Sequence, residues 1–195
     1  MKKYVFPLLL LFYLLIISCK QKNKSDENKE SFFPVLSFIK SQVAQIDTSL
    51  YSIKKIVSID STHSDTVFVP REEFRNLAKD FLDLPDLTEK KFKNRYIEEK
   101  LFDEQINRVS ISYKPKSPEE EDIQKQEILI KPDPAGDKIA SIFIDRIISN
   151  RDSFLHKIMF WQIDRSFQIT TITQKPAKPE TTTILKVVWS GDDDE

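Results

Sequence analysis

The last third of the chain, Ile139 to Trp189, constrains the fold more than any other stretch. Three runs, Ile139 to Ser149, Phe154 to Thr173 and Thr181 to Trp189, are rich in Ile, Val, Thr, Phe and Trp, and Asn150 to Asp152 and Lys175 to Glu180 separate them. β-Branched and aromatic side chains suit a pleated, half-buried surface, so these runs are predicted to form a long antiparallel meander. Several of them are apolar on both faces. Ile158 and Phe160 alternate with Met159, Trp161 and Ile163, and Ile142, Ile144 and Phe143 do the same in the neighbouring run. One face can be covered by helices; the other calls for sheet curvature, a partner chain or a ligand, because large apolar patches are seldom left bare.

The upstream sequence supplies the helices. Phe32, Val35, Leu36, Ile39, Val43 and Ile46 recur at helical spacing, with Ser31 as a candidate cap and Pro34 in the first turn. From Leu50 the period changes to two: Tyr51, Ile53, Val57 and Ile59 read as a strand, Asp60 to Asp65 as a turn, and Thr66 to Val69 as the returning arm of a hairpin. A second helix is predicted over Arg71 to Leu82, where Phe74, Leu77, Ala78 and Phe81 share a face and Asp83 to Asp86 stops it. Glu89 to Phe102 is ambiguous. Its charges favour a helix, while the turn-like Asp103 to Gln105 and the alternating Ile106 to Tyr113 favour a hairpin. Glu127 to Lys131 is a further strand, ending at the turn chemistry of Asp133 to Asp137. The expected fold is α+β, an antiparallel meander of six to eight strands packed against two N-terminal helices.

The first residues carry a different kind of information. Lys2 and Lys3 precede the unbroken apolar run Tyr4 to Ile17, which ends at Ser18 and the single cysteine, Cys19. A bilayer-spanning helix needs roughly 20 apolar residues, and a shorter run with a basic start suits a signal peptide better. Ile16-Ile17-Ser18-Cys19 resembles the lipobox of bacterial lipoproteins. That resemblance covers the leader alone. It implies cleavage after Ser18, a diacylglycerol on the Cys19 thiol and, as a rule, an acyl chain such as palmitate on the new amino group. Several chains on one residue hold a protein to a membrane far better than one does. Lys20, where an aspartate would imply inner-membrane retention, tilts the expected sorting toward the outer membrane.

The implied organisation is a signal peptide over 1–18, the lipidated cysteine and a tether over 19–30, a single domain over 31–190 and an acidic tail over 191–195. Lys20 to Glu30 has no apolar residue, so it cannot bury anything that offsets the entropy of ordering it. Removing Lys2 and Lys3 from the 30 basic side chains leaves 28 against 31 acidic ones, a formal charge of −3. Nothing in that balance points to nucleic acid.

The remaining residues form no recognisable catalytic or cofactor motif. His63 sits in a polar turn beside Ser61, Thr62 and Asp65, and His156 begins a strand; local clustering of that kind is not a triad. Two histidines and one acylated cysteine do not make a structural zinc site. Gly136 and Gly191 are the only glycines, too few for a phosphate-cradling loop, and no cofactor is expected. The acidic runs Glu119 to Asp122 and Asp192 to Glu195 read as solvated segments. The expectation is therefore a lipid-anchored, non-catalytic envelope protein whose sheet binds a protein partner or an apolar ligand. Phe143, Phe160, Trp161 and Trp189 are the candidate lining of a ligand groove. A structural subunit of an envelope complex and a hydrolase whose site only the fold assembles are the alternatives.

Overall fold

The computed structural model describes residues 32–58 and 64–189. The leader with Cys19, the polar tether, the turn that carries His63 and the acidic tail lie outside the described residues.

Helix α1 (Val35–Thr48) forms where the apolar stripe predicts it. Val35, Ile39, Val43 and Ile46 are the buried residues, and their spacing keeps them on one side of a 3.6-residue repeat. Pro34 occupies the cap position, and its carbonyl accepts a hydrogen bond from the Phe38 N–H at 2.9 Å. The chain then makes a hairpin of β1 (Ile53–Ser58) and β2 (Ser64–Val69). A 3-10 turn over Arg71–Glu73 leads into two short helices, α2 (Phe74–Leu77) and α3 (Lys79–Leu82). These replace the single helix expected over 71–82. Ala78, between them, has φ −84° and ψ 4°, outside the helical basin. Seven antiparallel strands follow: β3 (Tyr96–Asp103), β4 (Arg108–Pro115), β5 (Ile123–Lys131), β6 (Lys138–Asn150), β7 (Ser153–Gln162), β8 (Ser166–Gln174) and β9 (Thr181–Val188). Residues 89–95 are turns, so the ambiguous stretch becomes a strand only from Tyr96.

All nine strands belong to one antiparallel sheet in the order β2-β1-β9-β8-β7-β6-β5-β4-β3. The count is nine, not six to eight. Phe154 to Thr173 is two strands joined by a tight turn in which Asp164 has φ 59°, a conformation that needs no glycine when an aspartate supplies it. Strands β3 to β9 follow one another as a meander, and β9 closes onto β1 with the register Val57↔Leu185.

This topology explains why one face of the sheet is covered. β2 and β3 are the two edges, so the chain must cross the whole sheet between Val69 and Tyr96. It does so by laying apolar side chains down at intervals of three to five residues. Phe74, Ala78, Phe81, Leu84, Leu87 and Phe92 are all buried. Phe74 meets Trp189 edge-on at a centroid separation of 5.3 Å, and Phe81 meets Trp161 at 5.1 Å. Trp161 stacks on Phe167 at 5.3 Å, its cross-strand partner. Offset and edge-to-face contacts of this kind add about 0.5–1.5 kcal/mol per pair to what area burial supplies.

Candidate functional site

Strand periodicity and register divide the sheet residues into two sets. On the covered face Ile142, Trp161, Phe167 and Val187 stand side by side across β6 to β9, and each is fully buried. On the opposite face Phe143 pairs with Phe160, Asp145 with Ile158, and Ile147 with His156. Every large outward side chain of β5 to β9 keeps contact with solvent. Phe160 is 40% exposed and Phe154 36%.

The four groove candidates therefore separate. Phe143 and Phe160 are neighbours on the open face, whereas Trp161 and Trp189 are 0% and 1% exposed in the aromatic core on the other side. A ligand groove lined by all four is ruled out by the pleat: Phe160 and Trp161 are consecutive in one strand and must point to opposite faces. Trp161 Nε1 is buried without a hydrogen-bond partner, which costs about 1–3 kcal/mol and is tolerated inside the aromatic cluster.

The open face intermixes apolar and charged side chains. Phe143, Ile147, Ile158, Phe160, Ile172 and Ile184 occupy outward positions on β6 to β9. Lys125 lies 5.7 Å from the Phe143 ring centroid and pairs with Glu127. His156 Nε2 lies 2.8 Å from Asp145 Oδ1. Among the described residues no hydroxyl or thiol is hydrogen-bonded to the His156 ring. His63 and Cys19 fall outside the described residues.

The acidic run divides too. Glu121 is buried, pairs with Arg95 and accepts a hydrogen bond from the Tyr96 hydroxyl at 3.2 Å, so it is a structural anion, not a solvated one. Burial, and then the Glu121 charge, hold the Tyr96 phenol well above its ordinary range. Burial likewise pushes Tyr113 up to about 12, although the Phe33 N–H, which donates to its oxygen at 2.8 Å, works the other way. Asp133 accepts from the Ala135 N–H at 2.9 Å, and that bond, with Lys138 behind it, lowers its carboxyl below the usual range. Gly136 at φ 124° completes the turn expected there.

Among the described residues no group of three or more His, Cys, Asp or Glu side chains could hold a metal ion, and no helix is long and apolar enough to cross a membrane. One feature escaped the sequence reading. A cleft of about 400 Å³ lies on the covered face where α2 and α3 leave strands β8, β9 and β1 exposed. At its rim Lys157 on β7 pairs with Asp80 on α3 at 2.5 Å. Seventy-seven residues separate the two, and a lone lysine in an apolar strand was the one signal for it. Comparison with family models, with curated proteins and with solved structures returned no match.

Proposed function

We propose that the chain is a lipid-anchored protein of the cell envelope that has no catalytic role and presents the open face of its sheet to a protein partner. The observation that supports this most is the set of outward apolar side chains Phe143, Ile147, Ile158 and Phe160, interspersed with Asp145 and His156 and bordered on β5 by Lys125 and Glu127. Apolar side chains set among charged, hydrogen-bonding ones suit a protein interface. A small molecule needs a concavity that encloses most of its surface, and side chains standing on an open sheet face do not provide one. The anchor rests on the leader, where Ile16-Ile17-Ser18-Cys19 has the lipobox pattern.

The test uses the full-length chain in its own envelope. A photo-crosslinking amino acid at Phe160 or Phe143 should give one adduct of discrete mass. The same probe at Lys178, in the exposed β8–β9 turn, should give none. Ile158→Asp should abolish the Phe160 adduct while the protein stays in the membrane fraction. Monomer alone from both face positions would sink the reading. Labelled palmitate should enter the wild-type chain and not Cys19→Ala, which should leave the membrane fraction.

A further inference from the structure

The covered face is not apolar throughout. Its rows, read across the strands, run from Trp161, Phe167 and Val187 through Met159, Ile169 and Leu185 to Lys157, Thr171 and Thr183. The aromatic side chains of the crossing segment cover the first row, and α3 reaches the third through the Asp80–Lys157 ion pair. Beyond that contact the sheet surface turns polar and the cleft opens. Its floor and one wall are apolar, from Val57, Leu185 and Leu77. Lys55, Lys79 and the hydroxyls of Thr171 and Thr183 line the remainder.

The charges in and beside this cleft do not balance. Lys55 and Lys79 line it, and the one carboxylate of its lining, Asp80, is already paired with Lys157 at the rim. Two lysines are left over, and neither makes an ion pair among the described residues. Arg146, the register partner of Lys157 on the same face, is balanced by its own ion pair with Asp122 at 3.4 Å. Gathering like charges at the edge of a low-dielectric surface is unfavourable unless an anion joins them.

We infer that this cleft binds a single-chain anionic amphiphile, its carboxylate or phosphate held by Lys55 and Lys79 and its hydrocarbon chain laid on Leu77, Leu185 and Val57. The apolar floor gives no hold on a bare anion, and the lysines disfavour a neutral or cationic chain. The volume falls within the roughly 300–1,000 Å³ of ordinary small-molecule sites. The site is on the face opposite Phe143 and Phe160, so it stands or falls independently of the partner reading.

The test is calorimetric, on the acylated full-length protein in lipid nanodiscs, with empty discs as the blank. The probes are octanoate, octyl phosphate, octyltrimethylammonium and inorganic phosphate. Octanoate and octyl phosphate should bind saturably at one per chain, more weakly as ionic strength rises, and the other two probes should not. Lys55→Glu and Lys79→Glu should each weaken octanoate about tenfold or more, the loss of one charge-assisted contact. Lys79 is exposed on α3, so that variant reports on the site even if the strand variant fails to fold. Binding of octyltrimethylammonium as tight as octanoate, unchanged affinity in Lys79→Glu, or inorganic phosphate binding as tightly as octyl phosphate would each overturn the inference. An octyl phosphate response without an octanoate response would assign the site to phosphate-headed lipids and overturn it for fatty carboxylates.

Discussion

Phe160 and Trp161 are adjacent in one strand, yet one stands 40% exposed on an open face while the other is sealed in the aromatic core. Both faces of the sheet carry large apolar side chains, and what separates them is the chain crossing. Between β2 and β3 the polypeptide has to traverse the sheet, and it does so on one side only. Each apolar side chain it places there buries surface from both partners, and burying a side chain of this size stabilises by about 1.5–3 kcal/mol. The side that the crossing does not use keeps its phenylalanines and isoleucines, with Lys125, Glu127, Asp145 and His156 among them. Apolar content thus says little about what a sheet face does; the route of the connection decides which face is core.

The sharpest way to break this comparison is to truncate one aromatic on each side. Phe74→Ala removes a fully buried ring that touches Trp161, Phe167 and Trp189. It should cost about 3–5 kcal/mol in urea unfolding, as large-to-small changes in packed cores do. A loss below about 1 kcal/mol would mean that the crossing segment does not hold the covered face as described.

The pH dependence should separate the faces next. Tyr96 and Tyr113 both stand on the covered face with phenol pKa values raised above 10, Tyr113 to about 12. In that window the folded state holds protons that the unfolded chain releases. Stability should therefore be level up to about pH 10 and fall as the pH rises toward about 12. Tyr113→Phe should flatten part of that decline, and a decline unchanged in both Tyr113→Phe and Tyr96→Phe would show that these two phenols do not cause it.

The smallest effect is expected on the open face. Phe160→Ser should change unfolding free energy by no more than about 0.5–1 kcal/mol, since its ring is already partly in water. A core-sized loss there would mean that the open face is packed against something in the protein itself.

Much of the architecture was legible because hydrophobic period survives in sequence. The stripe Val35, Ile39, Val43 and Ile46 announced α1, and the alternation of Val109, Ile111 and Tyr113 announced β4. The ninth strand was hidden because the turn that ends β7 is made without glycine. Asp164 takes the positive φ there, as Asn107 and Ala177 do at other turns, and an isolated aspartate is a weaker turn signal than a glycine. The candidate residues fared unevenly for a related reason. Period-two alternation puts Phe160 and Trp161 on opposite faces but does not say which face is covered, so the two entered the reading as one group. The Lys157–Asp80 pair left no signal beyond a lone lysine in an apolar strand, because it joins residues that only the crossing brings together.

By itself the sequence determined most of the local elements, the antiparallel class and the resemblance of the leader to a lipobox. These depend on period, composition and spacing, all of which are properties of neighbouring residues. Only the tertiary structure decided which face became core, where the covered face gives out, and that two lysines without an ion pair among the described residues meet an apolar floor there. Those outcomes depend on strand order and on the path from Val69 to Tyr96, and the contacts they create join residues too far apart in the chain for any local pattern to record.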